Sequence, residues 1–457
     1  MRAFPASLFA GDSFAVVGLG RNGLPVARAL AAMGADVMAW DDAETARAAA
    51  MREKITIANP TEMTRRPRAM ILSPGIPHLR PRIHPAAAWA RANDVPIVSD
   101  VEILFTAVRC AGSKARFVGI TGTNGKSTTT ALLAHILAAS GVPSAAGGNL
   151  GTAALALPLL PDHGVYVLEM SSYMLERLIT VRFDSAALLN LSPDHLDRHG
   201  NMAFYALAKR EIFTRQTEAD TAVVGIDDPL AREMAAWRAT QPGTAITISG
   251  FQPAQIWADG AILRDVDGPS IDLVTCPTLP GAHNAQNTAA VMALARSLGL
   301  ARADIVRHIP TYPGLPHRQQ LVAERDGVVF VNDSKATNAD AAGRALGCYG
   351  RLIWIAGGMS KEGGIDALAS YFARIAHAFL IGQDAPVLAA TLAAHGVPHT
   401  IAGSLDAAVP AAAAAARAAG VRVVLLSPAC ASFDQFTGFD ARGDRFAALA
   451  ARLGQAV

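Results

Sequence analysis

A strand, a glycine turn and a helix follow one another without interruption at residues 116–139. A β-rich run at 116–118 leads into Gly119-Ile-Thr-Gly-Thr-Asn-Gly-Lys-Ser-Thr128, and an apolar-periodic run fills 129–139. Gly122 and Gly125 let the backbone bend tightly and turn its N–H groups inward, and a helix N-terminus behind them adds positive potential. Lys126 has the reach for a terminal phosphate, and the Ser127 hydroxyl suits Mg²⁺. Thr123, Asn124 and Thr128 complete a cradle for a nucleoside triphosphate. The common phosphate loop has four residues between its glycines; here there are two, Thr123 and Asn124. An ordinary βα turn with a solvated lysine is the alternative. Either way, this segment demands an α/β fold with a largely parallel sheet.

At 457 residues the chain has room for about three domains. It is 51% hydrophobic and 17% charged, a globular composition. A net charge of +2 gives no reason to expect a nucleic-acid partner. Cys110, Cys276, Cys348 and Cys430 are widely spaced with no CxxC, which suits small buried hydrophobes in a reducing compartment. No basic segment followed by an apolar one opens the chain, and no apolar run is long enough to span a bilayer. The expected location is the cytoplasm, without membrane insertion. The Ala-rich run 407–419, interrupted by Pro410 and Arg417, reads as a helix of a soluble protein.

The first segment, 1–112, opens with Phe14-Ala-Val-Val-Gly-Leu-Gly-Arg-Asn-Gly23, then a helical run and a second strand ending at Asp41. Gly18, Gly20 and Gly23 have GxGxxG spacing, with an acid about 20 residues on. A further strand at 69–73 runs into Ser73-Pro-Gly-Ile76. The second segment, 113–312, begins with the phosphate loop. The third, 313–457, follows Pro313-Gly-Leu-Pro316, where Pro and Gly mark a linker. Its strands are expected at 328–332, 352–356, 378–381 and 422–427, alternating with Ala-rich helices. The expectation from the residues is three α/β domains.

In open parallel sheets, ligands bind beyond the carboxyl ends of the strands. Tyr166-Val-Leu-Glu-Met-Ser-Ser172 puts Glu169 at one such end, and Ala186-Ala-Leu-Leu-Asn-Leu-Ser192 leads to His195 at another. Ser127, Glu169 and His195 on one edge would suit Mg²⁺, which prefers oxygen ligands and keeps several waters. In the third segment, Asn332-Asp-Ser-Lys-Ala-Thr-Asn338, Gly357-Gly-Met-Ser-Lys361 and Ser427-Pro-Ala-Cys-Ala-Ser-Phe-Asp434 follow successive strands. Lysines and hydroxyls at neighbouring strand ends make an anion pocket; turn chemistry explains the glycines but not Lys335 and Lys361 together.

Taken in order, these motifs resemble the Mur ligases, ATP-dependent enzymes that build the peptidoglycan stem peptide, and the resemblance covers nearly the whole chain. Gly147-Gly-Asn-Leu-Gly151, Leu315-Pro-His-Arg318 and Leu426-Ser-Pro-Ala-Cys-Ala-Ser432 look most like the branch that adds D-glutamate. For the three α/β domains the resemblance implies the types Rossmann-like, P-loop ATPase-like with a mostly parallel sheet, and Rossmann-like again. It also implies an ADP-forming ligase joining D-glutamate to UDP-N-acetylmuramoyl-L-alanine, with two Mg²⁺ ions. It assigns Lys126 to phosphate, and Ser127, Glu169, His195 and a carbamylated Lys209 to metal. Asn284, Arg318, Asp333 and Lys335 match further ATP contacts. Arg21, Asn22, Asp41, Gly75, Asn149 and Ser171 match the UDP-linked substrate; Thr337, Lys361, Ser432 and Phe439 match D-glutamate. A monomer is expected. One departure stands out. Where the family reads Ser-Ser-Phe-Gln-Leu-Glu, this chain has Ser171-Ser-Tyr-Met-Leu-Glu176. Met174 lacks the amide donors of Gln and is expected to cost one contact to the UDP-linked substrate. Other readings are a ligase of the same superfamily acting on another amino acid or on folate, a nicotinamide oxidoreductase resting on Gly18, Gly20, Gly23 and Asp41, and a non-catalytic nucleotide-binding regulator.

Overall fold

The computed structural model describes residues 2–149, 151–276, 278–360 and 364–453. Among the described residues the strands form three sheets. The first contains β1 (Ser13–Val17), β2 (Asp36–Trp40), β3 (Thr56–Ile57), β4 (Ala69–Leu72) and β5 (Ile97–Val98). Its order is β3-β2-β1-β4-β5, and every pairing is parallel. β1 reads Ser-Phe-Ala-Val-Val and is buried throughout, as expected for a central strand covered by helices on both faces.

The second sheet contains β6 (Arg116–Thr121), β7 (Ser144–Gly148), β8 (Val165–Glu169), β9 (Ser185–Leu188), β10 (Thr221–Gly225), β11 (Thr244–Ser249), β12 (Ile256–Asp259), β13 (Ile262–Asp265) and β14 (Gly268–Asp272). Its order is β14-β13-β12-β11-β10-β9-β6-β8-β7. The pairings from β7 to β12 are parallel, and β12, β13 and β14 close one edge as an antiparallel meander. The third sheet contains β15 (Gln320–Arg325), β16 (Val328–Asn332), β17 (Leu352–Gly357), β18 (Ile375–Ile381), β19 (His399–Gly403) and β20 (Val423–Leu426), in the order β15-β16-β20-β17-β18-β19. Only the edge pairing of β15 with β16 is antiparallel.

The chain gathers into two units, Met1–Asp272 with Asn284–Thr311, and Leu273–His283 with Tyr312–Val457. In the first unit one apolar cluster runs from the β1 sheet (Phe14, Val16, Val37) into the β6 sheet (Phe117, Tyr166, Leu168), which joins those two sheets. In the second unit, separate clusters line the two faces of the β15–β20 sheet, one around Trp354 and Leu425, the other around Phe330 and Ile355.

Pro410 does not end its helix. Leu405–Ala418 runs through it, with the proline exposed near the start. The proline costs the bond to the carbonyl four residues back and crowds that carbonyl with its ring. No described helix is long and apolar enough to cross a membrane.

Candidate active site

β6 ends at Thr121, and four residues separate it from the helix Lys126–Ala139. Gly122 (φ +147°) and Gly125 (φ +87°) take backbone angles that L side chains avoid. A Cβ on Gly125 would also fall 2.3 Å from Asn287 Oδ1. The loop is pinned by Asn190, just past β9. Thr123 N–H donates to its carbonyl at 2.9 Å, Asn124 N–H donates to its Oδ1 at 2.9 Å, and its own Nδ2 donates back to Asn124 O at 3.1 Å. Gln286 extends this chain, donating at 2.8 Å to Asp227 Oδ2. The sequence reading missed Asn190, Gln286 and Asp227; the visible signal for Asn190 and Asp227 was a polar residue just past β9, the strand beside β6, and just past β10, the strand after that.

Lys126 folds back on the loop, donating to Gly122 O at 2.9 Å and Thr123 O at 2.7 Å. Lys209, in the helix Met202–Arg210, is buried against the same turn and donates to Thr121 Oγ1 at 3.2 Å and Gly122 O at 3.0 Å. Burial holds its pKa well below the usual lysine range, and the charge of Lys126 adds to that; Asp194 and Glu169 pull weakly the other way. Glu169 ends β8 and is almost fully buried. Asn149 Nδ2 donates to its Oε1 at 2.7 Å, while Oε2 is buried with no hydrogen-bond partner. A buried carboxylate oxygen without a donor is costly unless a cation or bound group takes it. That orphan fits the metal role expected for Glu169. His195 sits in the left-handed region (φ +55°) at the start of Leu196–His199, with its side chain 44% exposed and Nε2 3.5 Å from Asp194 Oδ2. Among the described residues no three His, Cys, Asp or Glu form a ready metal cluster. The expected donor set is instead mixed: hydroxyl, carboxylate, imidazole and modified lysine.

The first sheet carries a cavity of about 480 Å³ lined by Gly18, Gly20, Arg21, Asn22, Asp41, Ser73 and Asn149, among others. A Cβ on Gly18 or Gly23 would strike Ser73 or the Gly18 carbonyl, whereas Gly20 faces open space. Asp41 holds this turn: Leu19 N–H donates to its Oδ2 at 2.6 Å and Ala43 N–H to its Oδ1 at 2.8 Å. Four of the six residues expected to meet the UDP-linked substrate, Arg21, Asn22, Asp41 and Asn149, therefore share one cavity. Gly75 lies in the turn between the lining residues Pro74 and Ile76. Ser171 does not line it; its Oγ accepts from Met174 N–H at 3.3 Å and caps Ser172–Leu175. Met174 does not line it either. Its side chain is 2% exposed and belongs to the apolar core, so the expected loss of a substrate contact has no basis in the cavity wall. Asn149 both lines the cavity and bonds Glu169, linking the first sheet's pocket to the phosphate-loop edge.

Asn284, in the same unit, is buried in the helix Ala282–Ser297 and accepts from Asn287 Nδ2 at 3.1 Å. The second unit holds Arg318, Asp333, Lys335, Thr337, Ser432 and Phe439; Lys361 lies outside the described residues. Lys335 Nζ sits 3.7 Å from the centroid of the Phe439 ring, and Thr337 N–H donates to Lys335 O at 2.9 Å. Ser432 is buried near Cys430. Asp333 is fully buried between Ser427 Oγ and Gln319 N–H, and burial raises its pKa to about 7 against those bonds and the charge of Arg318. The sequence reading also missed Arg442. It is 1% exposed and donates to Ser334 Oγ and O, Cys430 O and Gly357 O, clamping the loops after β16, β17 and β20. Its only sequence signal was an arginine on the face of the last helix, with nothing to say that this face is buried.

Two family models match the chain: the Mur ligase middle domain over residues 120–295 and the Mur ligase glutamate ligase domain over residues 317–430. The chain belongs to the Mur ligase family, whose members are ATP-dependent, amide-forming ligases. Within it, the chain is 49% identical over 447 residues to the UDP-N-acetylmuramoylalanine--D-glutamate ligase of Paramagnetospirillum magneticum, covering 97% of each. It is 47% identical to the protein of the same name from Rhodospirillum rubrum, over 99% of this chain and 97% of that one. In fold it is similar to the UDP-N-acetylmuramate-alanine ligase MurC of Thermotoga maritima (TM-score 0.61, 18% identity, 95% of this chain and 98% of that one). A crystal structure of MurF from Acinetobacter baumannii gives the same score at 17% identity, over 97% and 91%.

Proposed function

We propose that the protein joins D-glutamate to UDP-N-acetylmuramoyl-L-alanine with cleavage of ATP to ADP and phosphate, in the synthesis of peptidoglycan precursors. The observation that carries this reading is near-full-length identity of 43–49% to D-glutamate ligases, together with an intact phosphate loop. Amide formation from a free carboxylate is uphill in water. The γ-phosphoryl of ATP is first transferred to the alanyl carboxylate, giving an acyl phosphate and ADP. The amine of D-glutamate then attacks that carbonyl, and phosphate leaves with the amide formed.

The chain's part is positioning and charge neutralisation. Gly122 to Thr128 cradle the phosphates, and Lys126 would leave its loop carbonyls for the transferring phosphoryl. Asn284, Arg318, Asp333 and Lys335 complete the ATP set. Ser127, Glu169, His195 and Lys209 would hold two Mg²⁺ ions, which supply charge for the phosphoryl oxygens. Lys209 takes part as a carbamate: burial favours the neutral amine, which is the form that adds CO₂, and the product would offer the metal an anionic oxygen. The cavity with Arg21, Asn22, Asp41 and Asn149, bordered by Gly75, takes the UDP group, and Ser171 is assigned to the same substrate. Thr337, Lys361, Ser432 and Phe439 take D-glutamate. On this reading the domains are 1–112, Rossmann-like and supported by the 3-2-1-4-5 strand order; 113–312, P-loop ATPase-like; and 313–457, Rossmann-like. The enzyme works as a cytoplasmic monomer. ADP and phosphate should appear only when ATP, Mg²⁺, UDP-N-acetylmuramoyl-L-alanine and an amino acid are all present. Release that continues without the muramoyl nucleotide would refute the ligase assignment.

A further inference from the structure

His199, in the same unit as the glycine loop, has both ring nitrogens tied by side chains, those of buried Ser172 and half-buried Glu176. Nε2 is 2.9 Å from Ser172 Oγ and Nδ1 is 2.9 Å from Glu176 Oε1. The ring is 4% exposed. Glu176 is itself held, with Arg198 at 3.7 Å and His78 at 3.9 Å. With both edges fixed, the plane of the imidazole is fixed, and two tyrosines use it as a wall. Tyr173 stacks on it at 5.7 Å with an interplanar angle of 12°, and Tyr205 tilts against it at 5.2 Å.

Each tyrosine then touches a group expected to hold metal. The Tyr173 ring lies 5.1 Å from the ring of His195. Lys209 Nζ lies 4.7 Å from the centroid of Tyr205, whose hydroxyl is 3.3 Å from Thr123 Oγ1 in the phosphate loop. One residue is therefore two contacts away from both His195 and Lys209, and from the loop between them.

We propose that His199 is a positioning residue that keeps His195 and Lys209 in register with the phosphate loop, through Tyr173 and Tyr205. This rests on the reading of His195 and Lys209 as metal-holding groups. Groups that orient metal ligands typically change metal affinity or turnover by roughly 10–100-fold when removed. Loss of a purely structural side chain lowers stability instead and leaves those parameters alone.

The test compares wild type with His199→Ala, His199→Phe and Tyr173→Leu. Turnover and the Michaelis constants of both organic substrates are measured, and Mn²⁺ binding to the ADP-bound protein is followed by calorimetry, without turnover. His199→Ala should lose about 10–100-fold in kcat and bind Mn²⁺ more weakly, with little change in either Michaelis constant. His199→Phe keeps the stacking wall but loses the polar ties, and should recover part of both. Tyr173→Leu cuts one arm and should show the same split even if His199→Ala does not fold. Wild-type kcat and Mn²⁺ affinity in a folded His199→Ala protein, or in Tyr173→Leu, would overturn the proposal. So would a loss confined to the Michaelis constant of the UDP-linked substrate. A wild-type enzyme that makes no amide at all would instead sink the ligase reading, which separates the two failures.

Discussion

Burial shifts both Lys209 and Asp333 towards the uncharged form, and each shift makes a prediction with a definite sign. For Lys209, the folded pKa lies well below that of the unfolded chain because burial penalises the ammonium. Between those two values the unfolded chain holds a proton that the folded one does not, so stability falls as pH drops through that window. Replacing Lys209 by Met should abolish turnover yet raise the melting temperature in CO₂-free buffer, with a larger gain near pH 7 than near pH 10. An active or destabilised Lys209→Met protein would contradict the account. For Asp333 the shift runs upward, from 3.8 to about 7, chiefly by burial. The folded state then holds a proton the unfolded state has lost, so its contribution to stability is full below the lower value and disappears as pH rises through the upper one. Asp333→Asn should therefore gain more in melting temperature at about pH 8 than at about pH 5. Equal shifts at both would mean the carboxyl is solvated. Lys126→Ala keeps the loop's backbone cradle but removes the charge for the transferred phosphoryl, and should lose nearly all turnover. Met174→Gln would place an amide in the apolar core at a cost of roughly 1–3 kcal/mol, seen in denaturant midpoint and not in the Michaelis constant for the UDP-linked substrate.

At the scale of elements, local sequence carried the turns better than the edges. Strand, glycine turn and helix at 116–139 were legible because φ-positive glycines and apolar periodicity are local properties. The central strands β16, β17 and β20 were legible because strands covered on both faces read as unbroken apolar runs. β15, β19 and the β12–β14 meander were not. They lie toward sheet edges, are partly exposed, and carry residues such as Glu324, Thr400 and Arg264 that pattern alone gives to loops. The site divides the same way. Residues on the loops themselves could be picked out from the sequence, whereas Asn190, Gln286, Arg442 and His199 act through contacts distant in sequence that no spacing reveals. Pro410 shows a propensity overridden by packing: Leu405, Ala408, Val409 and Ala412 bury one face of its helix. Pro410→Ala restores a backbone donor on an exposed position, and should stabilise by roughly 2 kcal/mol after the proline's advantage in the unfolded chain is subtracted. Turnover should not change. A lower denaturant midpoint would mean that the proline shapes the start of this helix.

For the whole molecule, the account is that of an enzyme which activates one carboxylate and admits one amine. The amine is the point at which members of such a family differ, and the relatives of this chain carry D-glutamate in their names. A D-glutamate pocket needs an anchor for each carboxylate and an approach for the amine to the acyl phosphate. The L-isomer cannot meet all three, and D-aspartate is one methylene short. The most direct measurement is ADP release with saturating ATP, Mg²⁺ and UDP-N-acetylmuramoyl-L-alanine, comparing kcat/KM for D-glutamate, L-glutamate, D-aspartate and meso-diaminopimelate. The account predicts that D-glutamate exceeds each of the others by at least about 100-fold, the discrimination that a lost charge-assisted bond of roughly 3 kcal/mol supplies. A preference for any of the other three would contradict it.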